Sequence, residues 1–356
     1  MFGRDLGDHV DALVAAVETR DDQRFFEALQ GITRTTPQTR PDKVQAALGK
    51  LVPVLAQIPY GMGADLAQVA GSMAEYGTDP TIVLPTLVNR AAEAMEQAER
   101  FEELYRTAFG DVPDAEDAEQ IQPTLERFVG GAADLGLTEW DASMLAQAWF
   151  CGGQWVQPVL YLSQRKDVRA ILPERARLTA AIDTMRESIG TAHWLHGLLL
   201  VLDDEPLIVL DRATGRGFRV EISGIGDNFQ LHTLLAAALI GDESQGMLPG
   251  RRPSAEEIAA ASDGEELAPS GGIRGNFNLV SAGGEWIWNE GRPADIPKLD
   301  GVRVVVLDPS PYERTWNAGR AYPLMRPTLT VQGPLPADQA AHWLALVKPA
   351  ATTHHP

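Results

Sequence analysis

Ala192-His193-Trp194-Leu195-His196-Gly197-Leu198-Leu199-Leu200-Val201-Leu202-Asp203-Asp204-Glu205-Pro206-Leu207-Ile208-Val209-Leu210-Asp211 is the stretch in which the hydrophobic period of this chain changes. Upstream, apolar residues recur every three or four positions. Downstream they come in short runs and alternations broken by Gly, Pro and Asp. The run Trp194 to Leu202 reads as the first extended segment, Asp203-Asp204-Glu205-Pro206 as a turn, and Leu207 to Leu210 as a strand.

Working back from this point, residues 6 to 188 carry a helical pattern. Val10, Leu13, Val14 and Val17 line one helix face, Asp21 and Asp22 offer caps to a helix bearing Phe25, Phe26 and Leu29, and Pro37 and Pro41 precede a helix with Val44, Leu48 and Leu51. Further helices are predicted over 64–76 and 81–109. An acidic solvated stretch (Asp111, Asp114, Glu116, Asp117, Glu119) leads to helices over 121–135, 139–165 and 173–188. Leu51-Val52-Pro53-Val54-Leu55 and Val83-Leu84-Pro85-Thr86-Leu87 share a proline in an apolar helical setting. That echo leaves either a short α-solenoid or an irregular bundle open for this half.

Working forward, Phe218 to Ile222 alternates after the turn Ala213-Thr214-Gly215-Arg216-Gly217, and a helix follows over 228–240. The stretch 241–272 is loop-like, with a short helix near 255–261. Strands are predicted over 276–280, 285–289, 302–307 and 328–331, and a closing helix over 336–347. Without regular βαβ alternation, this half reads as α+β. Leu207 to Asp211 resembles Val304 to Asp308, each followed by a loop, a strand and an apolar helix, as a duplicated β-β-α unit would be. The expected organisation is an all-helical domain over 1–190, an α+β domain over 191–350 and a disordered tail over 351–356.

The totals bound the partners. A chain of 356 residues has room for two domains, and 44% hydrophobic with 22% charged residues is a globular composition. No apolar run approaches the ~18 residues of a membrane span, and Met1-Phe2-Gly3-Arg4-Asp5 lacks the basic and apolar regions of a signal peptide. Cys151 is the only cysteine, so no internal disulfide forms, and a cytoplasmic location is expected. A formal charge of −19 repels nucleic-acid phosphates and draws basic proteins or cationic ligands; it also serves simply as solubility.

The sequence carries no Gly-x-Ser-x-Gly elbow, His-Glu-x-x-His, P-loop or Gly-x-Gly-x-x-Gly after a strand. Three late clusters hold the polar and aromatic groups suited to a site. In the first, Asp227 or Asn228 caps a helix that places His232 one turn inside, where it faces core, solvent or ligand. In the second, Trp286, Trp288 and Glu290 share one strand face. A three-residue turn (Ala282, Gly283, Gly284) sets Asn276 opposite Glu290 and Asn278 opposite Trp288, whereas a two-residue turn sets Phe277 and Leu279 there and makes the face plain core. The third, after a very apolar strand, contains Asp308, Tyr312, Arg314, Trp316, Asn317 and Arg320, groups that suit an anionic or aromatic ligand or else pair locally.

Trp288-Asn289-Glu290-Gly291-Arg292 and Trp316-Asn317-Ala318-Gly319-Arg320 both read Trp-Asn-x-Gly-Arg, as two halves of one site or as a coincidence. Cys151 has the apolar surroundings of a buried, inert thiol. His193 and His196 have weak metal spacing if their segment is extended. The reading that fits best is a binding or interaction protein whose α+β domain presents a Trp/Asn/Arg-lined cleft to a small-molecule ligand or a basic protein partner. No metal and no cofactor are expected. The alternative is an enzyme acting on a small polar metabolite with His232, Glu290 and Asp308 as acid–base groups.

Overall fold

The computed structural model describes residues 5–262, 272–317 and 320–351, and these fall into two compact units that divide between Leu199 and Leu200. The helical unit comprises α1 (Leu6–Thr19), α2 (Asp22–Thr35), α3 (Pro41–Leu55), α4 (Tyr60–Ala74), α5 (Leu84–Phe109), α6 (Ala118–Gly130), α7 (Glu139–Leu162), α8 (Lys166–Ala170), α9 (Arg175–Met185) and α10 (Gly190–Leu199). Asp5 caps α1 in a reciprocal box with Asp8, and Asp21 caps α2 by accepting from the Arg24 N–H, so these starts follow from local side-chain chemistry. Among these helices α7 packs against α4, α5, α6 and α10, as the centre of a bundle does. Pro53 lies late in α3 whereas Pro85 lies in the first turn of α5, so the two proline segments hold different places in their helices.

The expected extended segment at Trp194 is a helix. Its buried side chains, Ala192, Leu195, Leu198 and Leu199, are spaced by three, three and one with Gly197 buried among them, and a short apolar run of this kind fits a buried helix as well as a buried strand. The helical unit therefore reaches Leu199 rather than 190. No helix among the described residues is long and apolar enough to cross a membrane.

The second unit is α+β. It contains β1 (Glu205–Asp211), β2 (Arg216–Ser223), α11 (Asn228–Leu239), α12 (Ala255–Ser262), β3 (Ile273–Arg274), β4 (Phe277–Ser281), β5 (Lys298–Leu299), β6 (Val302–Pro309), β7 (Thr315–Trp316), β8 (Thr328–Pro334) and α13 (Ala337–Leu346). Five strands run in the order β4-β6-β1-β2-β8, with β5 added to β6, while β3 and β7 form a separate pair. The β1–β6 pair is parallel and the others are antiparallel. Alternation divides the sheet cleanly. Leu207, Val209, Val220, Leu279, Val305 and Leu307 face a core completed by Leu231, Leu235 and Leu239 of α11. Ile208, Leu210, Val280, Val304 and Val306 face the other core, with Ala340 of α13 and Val347.

Two strand expectations need correction. Residues 285–289 do not form a strand; their tie to β4 is a single antiparallel bridge, Val280 to Trp286, and β4 takes β6 as its partner instead. The long, apolar β6 offers a full ladder, whereas the 285–289 segment turns away towards the start of α11. The bridge nonetheless keeps the three-residue-turn register. The suspected β-β-α duplication is also not a pair of hairpins: β1 pairs with β2, but β6 and β8 are not neighbours, and α11 and α13 cover opposite faces. Of the expected tail over 351–356, residues 352–356 lie outside the described residues, as do Ala318 and Gly319 of the second Trp-Asn-x-Gly-Arg segment.

Candidate functional site

The amino end of α11 gathers much of the late polar vocabulary. Asp227 caps the helix by accepting from the Gln230 N–H at 2.8 Å. The next free N–H groups are taken by the loop that follows the β4 bridge: Asn228 N–H donates to Gly291 O at 2.9 Å and Phe229 N–H to Asn289 O at 3.1 Å. The Asn228 side chain is fixed as well, with Nδ2 donating to Trp288 O at 2.8 Å. Asn228 and Asn289 are thereby buried to 2% and 6% exposure, and the Oδ1 atom of each has no hydrogen-bond partner among the described residues.

One turn along the same helix face lies His232, fully buried. Its Nε2 accepts from Asn276 N–H at 2.8 Å and, more weakly, from Phe277 N–H at 3.4 Å. Burial, helped by the nearby charge of Arg314, pushes its pKa down to about 3, so the ring is neutral at ordinary pH. A neutral imidazole that accepts at Nε2 carries its proton on Nδ1. That Nδ1–H is a buried donor with no partner among the described residues.

Against this ring sits the β7 edge. The Trp316 ring lies 5.0 Å from His232 and 5.4 Å from Phe229, centroid to centroid. Arg314, two residues earlier and so on the same side of the chain, donates through Nη2 to Phe277 O at 2.6 Å and towards Asn278 Oδ1 at 3.5 Å. Gly275 explains how Arg314 and Trp316 come so close to the β3–β4 connection. A Cβ there would meet Arg314 Cγ at 3.0 Å and Trp316 Cζ3 at 3.1 Å. Burial lowers the guanidinium's pKa, opposed by Tyr312 and the Glu290 carboxylate. Arg314 Nε and Trp316 Nε1 are two further buried N–H donors with no partner among the described residues.

The remaining candidates are placed differently. Trp286 and Trp288 do lie side by side, 6.0 Å apart, but Trp286 packs on the α13 side of the sheet and Trp288 is 47% exposed. Glu290 and Asn317 are exposed, and Tyr312 is 48% exposed. Asn276 contributes its backbone N–H to His232, while Asn278 is buried beneath Arg314. Arg292 donates its backbone N–H to Asp295 at 2.9 Å. Asp308 accepts from Arg212 Nε at 2.6 Å, and the same Arg212 donates to Lys348 O at 2.9 Å, so Arg212 in the β1–β2 turn links the end of β6 to the segment just after α13. Arg320 donates to Ser262 O, Met325 O and Pro323 O, bracing local backbone.

The candidate residues did not include Phe229, Gly275 or Asp227 as members of such a site. The pattern Gly275-Asn276-Phe277 opening a strand was the one available hint of a close approach. Asp227 is pushed up to about 6 because burial outweighs the backbone N–H groups of Gln230 and Phe229.

No described group of three or more His, Cys, Asp or Glu residues could hold a metal. His196 lies 3.3 Å from Asp183, and burial pushes the Cys151 thiol up to about 11. In the helical unit a groove of about 460 Å³ runs between α4 and α7, lined by Gln68, Ser72, Tyr76, Gln157 and Tyr161. None of its lining side chains is a buried group lacking a partner among the described residues, so it is the lesser candidate. No protein-family model, no curated protein and no solved structure matches the chain.

Proposed function

We propose that this protein is a binding protein whose α+β unit holds a small polar ligand at the amino end of α11. One observation carries the reading: five buried hydrogen-bonding atoms, Asn228 Oδ1, Asn289 Oδ1, His232 Nδ1, Arg314 Nε and Trp316 Nε1, all lack partners among the described residues. Native folds pair nearly all such atoms, and each one left unpaired costs about 1–3 kcal/mol. Five around one and a half turns of helix are a cost that a bound molecule offsets.

Acid–base catalysis by His232, Glu290 and Asp308 finds less support. His232 spends its basic nitrogen on backbone N–H groups and is held neutral, and Asp308 is engaged by Arg212. The charge of −19 attracts basic proteins at long range, but it belongs to the whole surface and singles out no docking face. The small-ligand form of the reading is therefore the one advanced.

Extraction of the protein purified gently from its native host, followed by mass spectrometry of the released small molecules, tests it. A stoichiometric compound should be recovered from the wild type and lost in both Asn228→Ala and His232→Gln. A wild-type extract that matches the blank counts against it.

A further inference from the structure

The five atoms differ in kind, and their donor and acceptor roles narrow the ligand. We infer that the α11 site takes an aminocarboxylate, a zwitterion whose carboxylate is received by His232, Arg314 and Trp316 and whose N–H donors are received by Asn228 and Asn289. The inference rests on the binding reading above and deepens it.

His232 Nδ1–H, Arg314 Nε–H and Trp316 Nε1–H are all donors, so they cannot satisfy one another. Their complement is an acceptor with several lone pairs. Arg314 also brings a half-buried positive charge with no carboxylate within ion-pairing distance among the described residues; Glu290 acts on it only through space. A carboxylate supplies one negative charge and about four lone-pair positions in a plane, which suits a guanidinium edge and two ring N–H groups. A phosphate of charge near −2 would exceed the single positive charge that Arg314 supplies.

At the other end of the site the chemistry reverses. The Asn228 amide is oriented by its Nδ2 bond to Trp288 O, which leaves Oδ1 as the acceptor. Asn289 adds a second amide oxygen. Asn228 and His232 are four residues apart on α11, about 6 Å along the axis, a span that a short aminocarboxylate bridges. The Phe229 and Trp316 rings, in tilted contact with each other, offer its carbon skeleton an apolar wall. Net charge decides between a zwitterion and a simple carboxylate. A chain of −19 repels free anions at long range, whereas a molecule of zero net charge approaches without that barrier.

Calorimetric titration and thermal unfolding of the full-length protein test the inference. The probes are the twenty common L-amino acids, β-alanine and 4-aminobutyrate, with methylamine, acetate and inorganic phosphate as controls. At least one aminocarboxylate should bind saturably and raise the melting temperature, at least tenfold more tightly than any control. Arg314→Lys should weaken it tenfold or more, and Asn228→Ala should erase the advantage over acetate. Arg219→Lys, on an exposed strand position, should change nothing and shows that the variants are read against an intact fold.

If no aminocarboxylate binds, or if phosphate or methylamine binds as tightly, the inference is overturned. A different compound extracted from the wild type and lost in His232→Gln would leave the binding reading standing while removing the aminocarboxylate. No compound by either route removes both.

Discussion

His232 shows what a single side chain does here. Its pKa moves from 6.5 in the open chain to about 3 in the fold, because burial penalises the imidazolium. Below pH 6.5 the unfolded chain takes up a proton that the folded chain refuses, so stability is lost as pH falls from 6.5 towards 3. At about 1.4 kcal/mol per pH unit, roughly 2–3 kcal/mol of stability should disappear between pH 7 and 4.5 on account of this residue. Asp227 acts in the opposite sense. Its raised pKa makes the fold gain stability as pH falls from about 6 towards 3.8. Urea midpoints for wild type and His232→Gln at both pH values separate the two, since Asp227 is common to both proteins. The wild type should lose the larger amount, and equal losses would remove the buried-imidazole argument. Asn228, His232, Arg314 and Trp316 were visible in the sequence as candidates. Their convergence was not, because it depends on β3–β4 and the 288–291 loop meeting α11 across 44 and 60 positions of chain. Asp308 and Arg320 looked equivalent to them on paper and are tied to Arg212 and to backbone carbonyls instead.

At the scale of elements, helices were legible where a cap and a three-to-four period coincided, as at Asp21. The misread element was α10, where apolar residues crowd too densely for either period to show. The 285–289 arm failed for a different reason: alternation was present, but β6 supplied the ladder for β4. Close packing of α4 gives a direct check on the bundle. A Cβ on Gly63 would collide with Ile58 Cγ2 and Trp155 Cζ2, both on buried side chains, whereas a Cβ on Gly49 in α3 has nothing within 4 Å. Gly63→Ala should therefore destabilise the protein by about 1–3 kcal/mol through overpacking. Gly49→Ala should stabilise it by up to about 1 kcal/mol through helix propensity. Thermal melts of the two variants check both signs; a neutral Gly63→Ala would mean that α4 and α7 do not pack this tightly.

For the whole molecule, the change of period read near Ala192 set a helical half before an α+β half; the structure divides into two units between Leu199 and Leu200, with α10 on the helical side. What the chain's totals could not carry is function, since acidity and the missing catalytic motifs narrow classes without naming a ligand. The site at α11 comes from unpaired atoms, and those exist only once the chain is folded. A crystal structure of the full-length protein, purified from its host and solved at a resolution that distinguishes water from organic density, is the most direct test. One organic molecule should touch Asn228 Oδ1, His232 Nδ1 and Trp316 Nε1 together. Water alone on these atoms, or side chains turned to bond one another, would contradict a ligand site there.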